Sequence, residues 1–186
     1  MTTPLNVVAV SGSLHAPSKT GALLAAIAAE LGRRIESTIT VVDVCDLDFS
    51  SESAKEAVRT IESAELLVVA SPVYRASYTG AFKQLFDRVG QSALIGTPVL
   101  LAATGGSDEH SLVIEHQFRP LFGFFHALSL PYGVYAKDSD FADGVATSPA
   151  LLATIDTAID VGLPFIRVVS QRRDEQERGD SSTTGS

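Results

Sequence analysis

At 186 residues, 45% of them hydrophobic, the chain is long enough to bury one full core and fits a single domain. Its 14 Lys plus Arg against 22 Asp plus Glu leave a formal charge of −8, which argues against nucleic acid as a partner, because counterion release needs clustered cations. One cysteine excludes an internal disulfide framework, and neither a signal peptide nor an apolar run of the roughly 18–20 residues that span a bilayer is legible, so a cytoplasmic protein with no membrane partner is expected.

The first expected strand, residues 5–11 (LNVVAVS), is almost continuously apolar, as strands buried on both faces of a parallel sheet are. After a polar loop, residues 18–34 carry Leu23, Leu24, Ile27, Ala28 and Leu31 at helical spacing. Residues 39–44 (ITVVDV) read as a second strand, and 53–64 as a short helix with Ala57, Val58 and Ile61 inward. The third strand, 66–71 (LLVVAS), is again apolar throughout. Thr79 stands where it can cap a helix to about residue 90, with Ala81, Phe82, Leu85 and Phe86 as its buried side. Residues 99–103 supply a fourth strand, 108–128 a long helix kinked at Pro120, and 132–136 a fifth strand. Ser148-Pro149 opens a last helix that reaches about residue 169. Residues 1–170 therefore read as one domain, and 171–186 (QRRDEQERGDSSTTGS), without an apolar residue, as a disordered tail.

Strand and helix alternate along the whole domain, which predicts an α/β fold with a parallel sheet covered on both faces. Ligands of such sheets bind outside the carboxyl ends of the strands. Three loops lie there. The first, 11–20 (SGSLHAPSKT), brings hydroxyls and Lys19 to the start of a helix, where backbone N–H groups and the helix dipole favour an anion such as a phosphomonoester. Ser18 in that loop also reads simply as a helix cap. The spacing Ser13-x4-Ser18-Lys19-Thr20 is that of a P-loop with both glycines replaced by serine, and no aspartate for magnesium follows the third strand, so nucleotide hydrolysis is not expected. No G-x-G-x-x-G follows any strand. The second loop, 71–80 (SPVYRASYTG), offers the flat faces of Tyr74 and Tyr78. The third, Thr104-Gly105-Gly106-Ser107, contains two glycines that permit positive φ and close backbone approach.

The segments VVAVSGSLHAPSKT, LLVVASPVYRASYTGAFKQLFD and PVLLAATGG, in this order and spacing, resemble the NADPH-dependent FMN reductase family. Within it, ATGGSDEHSLVIEHQFRPLFGFFHA is most similar to the flavin reductases that partner alkanesulfonate and methanesulfonate monooxygenases. The resemblance covers about residues 5–163. It implies a flavodoxin-like three-layer sandwich with a five-stranded parallel sheet in the order 2-1-3-4-5. It further implies that Ser11, Ser13, Ser18 and Thr20 hold the FMN phosphate with Lys19 nearby. Pro72, Val73, Tyr74 and Arg75 would line the isoalloxazine ring with Ser77 close by, and Thr104, Gly105 and Gly106 would close its other flank. Hydride would pass from the nicotinamide of NADPH or NADH to FMN, the cofactors carrying the chemistry without a catalytic side chain. Reduced FMN would go to an FMN-dependent monooxygenase, and the reductase would be a homodimer or homotetramer. His15 stands where many relatives carry arginine. That subgroup often has a π-helical bulge after the Thr-Gly-Gly loop, and His116 falls at that place, as a regulatory or an interface residue.

Two other readings keep the flavin bound: a quinone, azo or nitro reductase, and a flavodoxin-like electron carrier, for which the acidic residues are too scattered. His15, His110, His116 and His126 form no i, i+3 or i, i+4 pair, so no metal is expected, and Cys45 at a strand end reads as a packed residue rather than a reactive thiol.

Overall fold

The computed structural model describes residues 3–183, with side chains described as far as Val169. The continuously apolar strands divide the core in two. Val8 and Val10 of β1 (Leu5–Ser11), Leu67 and Val69 of β3 (Leu66–Pro72), and Leu101 and Ala103 of β4 (Pro98–Gly105) face one side of the sheet. Their neighbours Val7, Ala9, Val68, Ala70, Leu100 and Ala102 face the other. The first side is covered by α2 (Glu52–Glu62), α3 (Gly80–Phe86) and α4 (Arg119–Phe124), chiefly through Ile61, Phe82, Leu85, Phe86 and Phe122. The second is covered by α1 (Lys19–Arg34) and α5 (Pro149–Thr183), through Leu23, Ile27, Leu31, Leu151, Ile155 and Ile159.

All pairings in the main sheet are parallel, and with β2 (Ser37–Asp43) on one edge the order is β2-β1-β3-β4-β5. This is the order that the resemblance implies. The last strand differs from expectation: β5 (Leu128–Ser129) and β6 (Val134–Lys137) both pair with β4, one above the other. Pro131 between them has no N–H to give to a ladder, and the Arg119 guanidinium donates instead to the carbonyls of Leu130 (3.0 Å) and Pro131 (2.9 Å). A small antiparallel pair, β7 (Phe141–Ala142) and β8 (Val145–Ala146), follows and turns through left-handed Asp143 and Gly144.

The expected helix over 108–128 is three pieces rather than one kinked rod. A 3-10 turn at Asp108–His110 leads to a π-helix, Ile114–Phe118, and then to α4. Pro120 sits in the first turn of α4, where its missing N–H is least costly, and the wider π turn lies immediately before it. The α3 helix stops at Phe86 instead of near residue 90. The α5 helix passes the expected end near residue 169 and runs through Thr183; the expected disordered tail over 171–186 falls on residues whose side chains, and from 184 whose backbone, lie outside the described residues. Its stretch Pro149–Val169 is long and apolar enough to cross a bilayer by length and composition, with mean hydropathy 1.4, a feature that uninterrupted apolar runs did not reveal. Here that stretch buries Leu151, Ile155, Ala158, Ile159 and Ile166 on the sheet, and Arg34 of α1 ties it down through Asp156 and Asp160.

Candidate functional site

The carboxyl ends of β1, β3 and β4 open on a cavity of about 410 Å³, within the roughly 300–1,000 Å³ usual for small-molecule sites. Its wall is built by the three expected loops. Ser13, Ser18, Lys19 and Thr20 come from the first, Pro72, Val73 and Tyr74 from the second, and Thr104, Gly105 and Gly106 from the third. Ser11, Arg75 and Ser77 are not on that wall. Ser11 is buried beneath it, with its Oγ 3.4 Å from the Ser13 N–H. Arg75 is carried outward by a tight turn in which Arg75 and Ala76 both have positive φ, closed by the bonds Tyr74 N–H to Ser77 O (2.8 Å) and Ser77 N–H to Tyr74 O (3.2 Å). The Ser77 hydroxyl donates to Gln117 Oε1 (3.2 Å), tying the second loop to the π-helix. His15, Pro17 and Asp138 also line the cavity.

The loops are braced against one another. The Gly12 N–H donates to Ala70 O (2.7 Å), and the Val73 N–H to Thr104 O (2.8 Å). Thr20 and Thr104 share a hydroxyl bond of 2.9 Å, both side chains being buried. Thr79 is the hub: its hydroxyl donates to Gly12 O (2.7 Å) and accepts from the Phe82 N–H (3.2 Å) as the cap of α3, while its own N–H donates to Ser71 Oγ (3.0 Å). Sequence alone marks Thr79 as a cap, and its bond across to the first loop has no local signal.

At the start of α1 the Ser18 hydroxyl accepts from the Gly21 N–H (3.0 Å), so Ser18 is a helix cap and a cavity residue at once. Helix geometry leaves the Lys19 and Thr20 N–H groups without intrahelical acceptors, at the positive end of the dipole. The Lys19 ammonium lies 2.8 Å from Asp138 Oδ1, across the cavity mouth. In the third loop neither Gly105 nor Gly106 has a positive φ. The reason for glycine at 105 is close approach: a Cβ there would stand 2.2 Å from the Tyr135 hydroxyl, which donates to Ser107 O at 2.5 Å. Burial and the nearby Asp108 and Asp138 carboxylates raise the Tyr135 pKa, keeping the phenol neutral and donating.

His116 lies on the exposed side of the π-helix, beside Ala76, His110, Leu112 and Gln117, in a groove separate from the main cavity. Desolvation and then the Asp43 and Asp46 carboxylates push the Cys45 thiol up to about 11, so at neutral pH it is a thiol rather than a nucleophilic thiolate.

A hydroxyl-rich helix start in one cavity with Pro72, Val73, two glycines and the Tyr74 ring suits a phosphomonoester carrying a flat ring system. The model of the family described as NADPH-dependent FMN reductase matches residues 5–142. The chain belongs to that family. It is 47% identical over 175 residues to the NADH-dependent FMN reductase SfnE of Pseudomonas putida, covering 89% of this chain and 94% of that one. It is 45% identical over 175 residues to an FMN reductase (NADPH) of Pseudomonas aeruginosa, with the same coverage. Among solved structures, the apo form of the NADH:FMN oxidoreductase EMOB superposes with a TM-score of 0.78 at 32% identity, covering 86% of this chain and 89% of that one. The chain is thus a flavin oxidoreductase of flavodoxin-like fold, with FMN and a nicotinamide nucleotide as its cofactors.

Proposed function

We propose that this reductase takes up FMN as a substrate, reduces it with NADH or NADPH, and releases reduced FMN to an FMN-dependent monooxygenase of the sulfonate or sulfone type. The observation that carries the reading is the cavity wall itself, where the helix start of α1 brings Ser13, Ser18, Lys19 and Thr20 together and Pro72, Val73, Tyr74, Gly105 and Gly106 complete the lining, an arrangement that would suit a phosphate at one end and a flat ring at the other. When bound, FMN supplies the hydride-accepting chemistry. The chain's own part is to hold and orient. Ser18 and the first turn of α1 would fix the phosphate, Tyr74 would flank the ring, and backbone N–H groups of the third loop would face charge that grows on it. Ser11 would act from beneath, by positioning Ser13. Arg75 and Ser77, away from the wall, would act only by shaping the second loop.

The partnership is supported by the Sfn names of the Pseudomonas relatives and by openness: half of Tyr74 is exposed and the cavity reaches solvent. Assembly as a homodimer or homotetramer is supported by exposed Leu112 and Phe124 on either side of the π-helix, and His116 would then lie at or near the subunit contact; light scattering of the purified protein checks it. The cell compartment in this reading is the cytoplasm, where nicotinamide donors and an oxygenase partner would meet. The decisive experiment is steady-state oxidation of NADH and of NADPH with and without added FMN. The expected result is a colourless protein as isolated whose turnover requires added FMN. A stoichiometrically yellow protein that turns over without added flavin would favour a quinone, azo or nitro reductase, and one that oxidises neither donor with FMN present would overturn the reading.

A further inference from the structure

One ionic contact at the cavity mouth is built from two elements far apart in sequence. Lys19 is the only Lys or Arg among the residues on the wall, and Asp138, the first residue after β6, is the only carboxylate there. The two are paired at 2.8 Å. Of the other cations nearby, Lys137 is bound to Asp108 at 2.8 Å, and Arg75, on its turn, is not on the wall. Among the described residues, the one Lys or Arg on the cavity wall is therefore neutralised before any ligand arrives.

We propose that Asp138 competes with the flavin phosphate for Lys19 and thereby keeps FMN binding weak enough for the reduced flavin to leave. The proposal rests on the FMN-binding reading above and assigns a role to a residue outside it. A phosphomonoester carries about 1.5–2 negative charges at neutral pH, and so outbids one carboxylate for an ammonium group. The Lys19 and Asp138 side chains are 47% and 64% exposed, and exposed pairs of this kind are weak and exchange readily. On ligand arrival Lys19 would turn from Asp138 to the phosphate. The Asp138 carboxylate is then left beside an anion, which costs affinity. Asp138 acts through Lys19 and is a positioning residue; it touches no reacting atom.

The test is fluorescence titration of the full chain with FMN and with riboflavin, which lacks the phosphate, for wild type, Asp138→Asn, Lys19→Met and the double variant. The expected result is a Kd for FMN lowered roughly three- to tenfold in Asp138→Asn, with steeper salt dependence and an unchanged riboflavin Kd. In the Lys19→Met background the gain from Asp138→Asn should shrink. The KM for FMN should fall with its Kd while the KM for the nicotinamide donor stays. An FMN Kd that is unchanged or raised in Asp138→Asn, or a riboflavin Kd that moves in parallel, overturns the proposal while leaving FMN reduction intact. A wild-type protein that binds riboflavin and FMN equally overturns it too, because no phosphate contact exists to be opposed. Wild-type protein that binds neither removes the underlying reading together with this one.

Discussion

Replacing Thr79 by Val should lower stability by about 2–3 kcal/mol and weaken FMN binding at least tenfold, although Thr79 is not on the cavity wall. The side chain is buried, and valine keeps its shape while deleting its hydroxyl. Two bonds go at once. The Phe82 N–H loses its cap acceptor, which costs about 1 kcal/mol, and Gly12 O loses a buried donor, which costs a further 1–3 kcal/mol less whatever water recovers. The loss of affinity follows from position: Gly12 O is where the second loop holds the first, and the first carries Ser13 and Ser18. Thermal unfolding together with FMN titration checks both parts. Thr79→Ser, which retains the hydroxyl, should restore most of the affinity.

Replacing Gly12 by Ala should have an effect of similar size through crowding rather than loss. A Cβ at residue 12 would stand 2.8 Å from both Cβ and Oγ of Ser71 and 2.9 Å from Cδ2 of Phe82. None of these atoms is the free end of a flexible chain. Ser71 is fixed on β3 and its hydroxyl holds the Thr79 N–H, while Phe82 packs against Tyr78, Phe86 and Phe118 with ring centroids 4.7–5.6 Å apart. The strand ends must separate, at about 1–3 kcal/mol for overpacking. Because the shift falls between the first and second loops, FMN affinity should drop as well. Denaturant unfolding and FMN titration of the variant measure the two effects, and the Gly32→Ala control, where no atom lies within 4 Å of the new Cβ, should leave affinity unchanged.

The parts of the fold that announce themselves are those governed by local sequence. The nearly continuous apolar runs at residues 5–11 and 66–71 are two interior strands of the sheet, and the Ser18 and Thr79 caps lie where their hydroxyls foretold. The split of the last strand was hidden because Pro131 interrupts a segment whose flanks each pair normally with β4. The β7–β8 hairpin did carry a signal, Asp143-Gly144 between short apolar residues, that went unread. At the site, the loops after β1, β3 and β4 were found because strand ends in such sheets gather ligands. The same rule applies to β6, whose end bears Asp138, so the position of that strand end is the signal that points to it. For Gly105 the sequence allows either positive φ or close approach of its backbone, and only the tertiary position of Tyr135, thirty positions on, shows that space rather than φ decides it. Arg75 and Ser77 resist sequence reading for a related reason, since a turn with two left-handed residues decides which way they face.

In the proposed site the start of α1 grips a phosphate while the second and third loops enclose a ring. A crystal structure of the protein with FMN measures this directly. Phosphate density is expected within hydrogen-bonding distance of the Ser18 hydroxyl and the Thr20 N–H, with the ring between Tyr74 and Gly105–Gly106. Flavin bound elsewhere, or lying with its ring at α1 and its phosphate toward solvent, would contradict it.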